Sequence, residues 1–157
     1  MQPDQNDCFV IQGKLALPYQ YFAGRTGSRF LIALRDEKKI KGVRCGKCSQ
    51  VFVPPRANCN FCFEDLSEKW VEVGTKGRVS GFTVIRYQEP YQPCRPPYIL
   101  ALIKLDGADT PLVHVVKGVP LDKMKIGLPV EAVFANETTS TIMDIDHFRP
   151  VDFDPQL

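Results

Sequence analysis

Four of the six cysteines stand in two matched pairs, Cys45-Gly46-Lys47-Cys48 and Cys59-Asn60-Phe61-Cys62. A two-residue spacer lets both thiolates of a pair face one centre, and two such turns complete a tetrahedral all-sulfur site. Zinc is the metal this donor set selects, because it accepts the geometry without ligand-field preference. Ten residues separate the pairs, enough for a tight hairpin. Pro54-Pro55 stiffen that hairpin by fixing φ and removing two backbone donors. A redox disulfide needs only one such pair, so the repetition argues for metal. We expect one structural Zn2+ held by Cys45, Cys48, Cys59 and Cys62. A site closed by four thiolates leaves no position for activated water or substrate.

Other groups that could do chemistry are sparse. The two histidines lie on predicted strands. His114, in Leu112-Val113-His114-Val115-Val116, would point opposite Val113 and Val115, and His147 would end the last strand. Both read as structural. Cys94 lies in a loop without an obvious base and reads as a bystander thiol. The chain has no glycine-rich phosphate loop, no GxSxG and no HExxH. These features read as a chain without catalysis of its own.

The totals bound the rest. With 157 residues, 44% hydrophobic and 24% charged, the chain is one globular domain, or a domain plus a small metal module. A net charge of +2 makes no case for nucleic acid. No apolar run approaches the ~20 residues that cross a bilayer. The polar start has no basic and apolar signal, and cysteines paired as ligands suit a reducing compartment, so a soluble cytoplasmic protein is expected. Six basic residues between Arg35 and Lys47 could cradle phosphate or form a solvated face beside the metal, and the solvated face is the ordinary outcome.

Several elements must position the metal site. Phe9-Val10-Ile11 reads as a short strand. Gly24 and Gly27 bracket a turn, and Ser28 then caps a helix whose apolar residues fall at Phe30, Leu31 and Leu34. Val51–Val53 reads as a strand between the cysteine pairs. From Glu68 the texture becomes short β segments near Trp70–Val73, Arg78–Tyr87, Tyr98–Leu105, Leu112–Val116, Val130–Ala135 and Thr141–Phe148. Gly81 inside a strand marks a bulge or barrel corner, and Asp106-Gly107 a hairpin. The fold expected is mainly β: a short helical or extended lead over 1–39 that docks a partner, a zinc ribbon over 40–66, and a small OB-fold barrel over 67–151. Residues 152–157 form a tail. The proline-rich connection Tyr87–Tyr98 is either a stiff crossover or a partner contact.

The features and their order carry a resemblance. Arg44-Cys45-x-x-Cys48 is followed by Val53-Pro54-Pro55-Arg56-x-x-Cys59-x-x-Cys62. Then come Trp70, Gly77-x-Val79-x-Gly81-Phe82-Thr83-Val84, Pro97-Tyr98, Ile126–Val130 and Asp146-x-Phe148-Arg149-Pro150. The pattern covers about residues 15 to 151, and it resembles the acyl-CoA-associated OB-fold proteins with an N-terminal rubredoxin-like zinc ribbon. The resemblance implies a non-catalytic subunit beside a thiolase-fold enzyme, a hotdog-fold enoyl-CoA hydratase or a sterol side-chain lyase. The long lead also resembles the zinc-finger subunit of benzoylsuccinyl-CoA thiolase in anaerobic aromatic degradation. A CoA thioester at the subunit seam would then meet Lys38, Lys39, Lys41, Lys47 or Arg56. Arg56 could grip phosphate in bidentate fashion or pin the ribbon to the barrel through an ion pair. The competing class is a single-stranded nucleic-acid binder, but the barrel's cations are balanced by acids and form no convincing basic groove.

Overall fold

The computed structural model describes Gly13, Leu15, Leu17 and residues 19–151. The strand expected at Phe9–Ile11 and the tail lie outside the described residues. Helix α1 spans Gly24–Ile32 and widens into a π-helical turn over Ala33–Glu37, which Lys38 ends with a left-handed φ of 51°. The helix therefore starts four residues before the expected cap, and Ser28 lies inside it. Ala23 is the N-cap and makes no side-chain capping bond. Glycine is a poor helix former, costing about 1 kcal/mol against alanine, which is why Gly24 and Gly27 read as a turn. Gly24 holds the turn backbone it was read for, at φ +76°, while at Gly27 tertiary packing outweighs the cost, because Phe30, Ala33 and Leu34 share a face that is wholly buried.

Strand β1 (Ile40–Arg44) is the centre of a three-stranded antiparallel sheet, flanked by β2 (Val51–Phe52) and β3 (Trp70–Val73). Val43 is the hinge of the register, opposite Phe52 on one side and Trp70 on the other. The expected strand at Trp70–Val73 thus pairs with the ribbon's β1 and does not enter the barrel. Gly42 permits the close packing of β1 on β2, since a Cβ there would sit 2.7 Å from the Phe52 carbonyl oxygen.

The remaining strands close a barrel in the order β4-β5-β6-β8-β7. They are β4 (Lys76–Ile85), β5 (Tyr98–Leu105), β6 (Leu112–Val116), β7 (Pro129–Phe134) and β8 (Ile145–Pro150). Pairing of Lys76 with Glu131 and Arg78 with Pro129 closes the ring, and β6 meets β8 in parallel at Val116–Phe148. Five strands with one parallel closure are the OB-fold expected. The bulge falls between Val79 and Gly81 as read, and Gly107 adopts φ +87° in the turn after β5. The last segment differs: Thr141–Asp144 is a cap and a 3-10 turn, and β8 begins only at Ile145. Asp144 causes that break. Its buried carboxylate accepts the Thr139 and Ser140 amides at 2.7 and 3.0 Å, so the chain must coil around it.

Helix, ribbon sheet and barrel share one core, in which Phe30 and Leu34 meet Ile40, Val53, Ile103 and Phe148. The outer edge of β2, which no strand pairs, is satisfied by the barrel. The Val51 amide donates to Asp109 Oδ2 at 2.8 Å, and Val53 exchanges two bonds with Thr110 Oγ1 at 2.8 and 3.0 Å. These bonds pin the ribbon to the barrel.

Candidate metal centre

The two cysteine turns are copies of one backbone motif. Cys45 closes β1, its amide donates to Gln50 O at 2.9 Å, and its carbonyl accepts Ser49 N at 2.9 Å. In the second turn Cys59 N donates to Glu64 O at 2.9 Å, and Cys59 O accepts Phe63 N at 3.0 Å. The fourth residue after each leading cysteine is left-handed, Ser49 at φ 63° and Phe63 at φ 56°. Neither is glycine. Asn60 stands where the first turn has Gly46, and neither adopts a positive φ, so the second turn forms without a glycine and Cys62 N donates to Cys59 Sγ at 3.4 Å.

The four sulfurs lie within 4.8 Å of one another, and Cys48 and Cys59 are 3.7 Å apart. A tetrahedron with Zn–S bonds near 2.3 Å requires sulfur–sulfur edges of about 3.8 Å. Cys45 and Cys59 are buried and Cys48 is exposed. Burial pushes the Cys45 thiol up to about 12, against the pull of the Cys48 and Lys47 amides, and the Glu64 carboxylate adds to the rise. Burial also opposes ionisation of Cys59, but the Cys62 and Phe61 amides and the neighbouring thiols draw it down to about 7. Thiolates in such a site need a dication beside them. The donor set fits one structural Zn2+, which would cross-link the two turns. The smaller core of Val43, Phe52 and Leu66 packs on Cys45 and Cys59, so the metal site and the ribbon's core are one object.

Glu64 was not anticipated. Its carboxylate stands 3.0 Å from Cys45 Sγ, accepts the Lys47 amide at 3.1 Å and faces Lys69 Nζ at 3.8 Å. Hydrogen bonding to Cys45 holds its carboxyl below the usual range, against partial burial, with help from the Lys47 and Gly46 amides. A glutamate two residues beyond Cys62 carries no motif, and only the folded turn brings it back to the first pair.

The cations expected to meet CoA are dispersed. Lys39 pairs with Glu72 at 2.8 Å and Lys41 with Glu37 at 2.7 Å. Lys38 caps the helix end, and Lys47 sits on the first cysteine turn. Arg56 lies 5.4 Å over the Phe52 ring and makes no ion pair to the barrel among the described residues. None of the five lines either of two clefts beside the ribbon. One, of about 560 Å³, lies between the start of α1 and Pro55–Asn58, and the other, of about 480 Å³, between Arg44 and the barrel.

His114 is a core residue. Its Nδ1 accepts the Val115 amide at 2.9 Å, Nε2 donates to the Ile142 carbonyl at 3.2 Å, and its ring stands edge-on to Phe148. Burial holds it neutral, below the ordinary histidine value. His147 and Lys117 are both spent on Asp146, at 2.6 and 3.1 Å. Burial pushes the Cys94 thiol up, which is the wrong direction for a nucleophile.

Large apolar side chains are left in solvent on the lead and on the second cysteine turn, as they are at Tyr91 and Ile126 elsewhere. Tyr19, Tyr21 and Phe22 of the lead are about 80% exposed, and Phe61 and Phe63 of the second cysteine turn are 62% and 82% exposed. The lead and the turn flank the same cleft, since Ala23 and Asn58 both line it. No described helix is long and apolar enough to cross a membrane.

A closed four-cysteine ribbon sewn to a five-stranded barrel defines a zinc-ribbon/OB-fold protein. Residues 33–67 match the family described as ChsH2, rubredoxin-like zinc ribbon domain, and residues 70–135 match ChsH2, C-terminal OB-fold domain. The chain is 31% identical over 101 residues to a DUF35 domain-containing scaffold protein of Methanocaldococcus jannaschii, covering 64% of this chain and 71% of that one. The chain belongs to this DUF35 family. It is also 33% identical over 103 residues to a probable enoyl-CoA hydratase alpha subunit of Thermomonospora curvata, but corresponds to only 31% of that protein's length. Among solved structures it is similar to a chain of the Ltp2-ChsH2(DUF35) aldolase, with TM-score 0.62, 26% identity and coverage of 81% of this chain and 95% of that one. A DUF35 protein of Sulfolobus solfataricus, of unknown function, superposes with TM-score 0.59 at 25% identity, covering 81% and 84%.

Proposed function

We propose that this chain is the non-catalytic zinc-ribbon/OB-fold subunit of a complex that processes acyl-CoA, and that its partner is a thiolase-fold enzyme cleaving a β-oxoacyl-CoA. The observation that carries the reading is the exposure of large rings on the lead (Tyr19, Tyr21, Phe22) and on the second cysteine turn (Phe61, Phe63). A metal that fixes a turn bearing two solvent-facing phenylalanines holds an interface anchor rigid before it meets its partner, which lowers the entropic cost of docking. Both histidines are engaged in structural contacts, and on this reading the reacting groups belong to the partner. A scaffold is what the related archaeal proteins are called, and an aldolase and an enoyl-CoA hydratase subunit stand among the relatives. They support an acyl-CoA setting. The thiolase rests on the resemblance over residues 15 to 151, and benzoylsuccinyl-CoA as its substrate on that of the lead.

The test is reconstitution. A thiolase-fold subunit from the same organism is assayed for CoA-dependent cleavage of 3-oxoacyl-CoA substrates, including benzoylsuccinyl-CoA, alone and with the zinc-loaded chain. Turnover that requires both chains supports the reading. Full turnover by the catalytic subunit alone contradicts it, and hydratase activity in the pair moves the chemistry to the hotdog-fold alternative.

A further inference from the structure

Three cations outside the expected set converge on the cleft between ribbon and barrel. Arg44 ends β1, Arg78 lies on β4 and Lys104 on β5, and all three line the same space of about 480 Å³. Arg78 and Lys104 are register partners on adjacent antiparallel strands. Like charges placed directly opposite in this way destabilise a sheet. None of the three lies within ion-pair distance of a carboxylate among the described residues. Arg78 gives one N–H to the Gly127 carbonyl at 3.2 Å, which leaves most of its donors open. Asp106 and Asp109 also line the cleft, and Asp109 accepts the Val51 amide at 2.8 Å. Three cations against two carboxylates leave the cleft positive. Ser49, held left-handed at the end of the first cysteine turn, adds a hydroxyl.

We propose that this cleft is a binding site for a pyrophosphate-bearing ligand. A phosphate oxygen between Arg78 and Lys104 relieves their repulsion, and planar guanidinium groups match phosphate in bidentate fashion. The volume falls within the range of small-ligand sites. The site stands without the partner role proposed above. If that role holds, the nucleotide end of a CoA thioester is one source of the pyrophosphate, and a free nucleoside diphosphate is the other.

The experiment is calorimetric titration of the zinc-loaded full chain with inorganic pyrophosphate, ADP and CoA at low salt. We expect saturable binding of one pyrophosphate, weakened roughly tenfold or more in R78Q/K104Q and tightened a few-fold by Asp106→Asn. The double variant should be at least as resistant to urea as the parent, because it removes a repulsive pair, and added pyrophosphate should protect only the parent. CoA binding above ADP assigns the thioester as the source, and equal binding assigns a free nucleotide. No saturable binding to the parent, or unchanged binding in R78Q/K104Q, overturns the proposal. A single-stranded oligonucleotide that displaces pyrophosphate and binds more tightly would overturn it as well.

Discussion

At the scale of single residues, the cysteines and His114 show how surroundings decide what a titratable group does. Cys45 and Cys59 are both buried, yet their environments push them in opposite directions. C45S/C48S is expected to leave less than one tenth of the zinc of the parent, because the two remaining thiolates cannot close the site. Because Val51 and Val53 belong to the main core, the barrel should still melt cooperatively while the ribbon's amides lose protection. Zinc analysis with hydrogen exchange checks this, and a variant holding a full zinc complement contradicts it. His114 gives a pH prediction. Burial lowers its folded value below the unfolded value of about 6.5, so the unfolded chain binds the proton first as pH falls. Its contribution is complete above that pH and declines below it, down towards the folded value. Urea midpoints should therefore fall more steeply from pH 7 to pH 5 in the parent than in His114→Leu. Parallel slopes would show that His114 is not the group responsible.

At the scale of elements, Thr110 locks ribbon to barrel by serving both the amide and the carbonyl of Val53. Thr110→Val keeps the shape and removes both bonds, which should cost about 1–3 kcal/mol by urea denaturation. A loss near zero would mean that water replaces the hydroxyl. The barrel strands were legible in the chain because alternation and turn residues coincide there, and Tyr98–Leu105 and Leu112–Val116 need no adjustment. Strand β1 was not. Ile40-Lys41-Gly42-Val43-Arg44 sits in a run of cations with a glycine at its centre, and that glycine is there for the approach of Phe52. Contact between distant segments cannot be read from local pattern. The same limit hid the start of α1, where Gly24 makes its turn at φ +76° and Gly27 is carried into the helix by the burial of Phe30 and Leu34. The metal ligands were legible because each turn is local, whereas Glu64 meets Cys45 only once both turns have folded, and the cleft exists only where β1 of the ribbon sheet stands beside the paired β4 and β5 of the barrel.

At the scale of the whole molecule, the division of labour is between a sewn interior and an unsatisfied outside. Nearly every polar group inside has a partner, and no buried side-chain nitrogen or oxygen among the described residues lacks one. What is left unsatisfied lies outside: the unpaired cations of the ribbon–barrel cleft, and exposed apolar rings, among them Tyr19, Tyr21 and Phe22 of the lead and Phe61 and Phe63 of the metal-fixed turn. F61S/F63S should keep its zinc and its thermal midpoint, since both rings are already in solvent, while association with the partner weakens roughly tenfold or more. Unchanged association would place the interface elsewhere, on the proline-rich loop with its exposed Tyr91 first of all.

The most direct measurement of the central claim is purification of this chain at its native expression level, with zinc analysis and identification of every protein that accompanies it. The account predicts one zinc per chain and a stoichiometric acyl-CoA-processing enzyme, retained by the parent and lost from F61S/F63S. Recovery of a zinc-loaded monomer with no enzyme attached would contradict it.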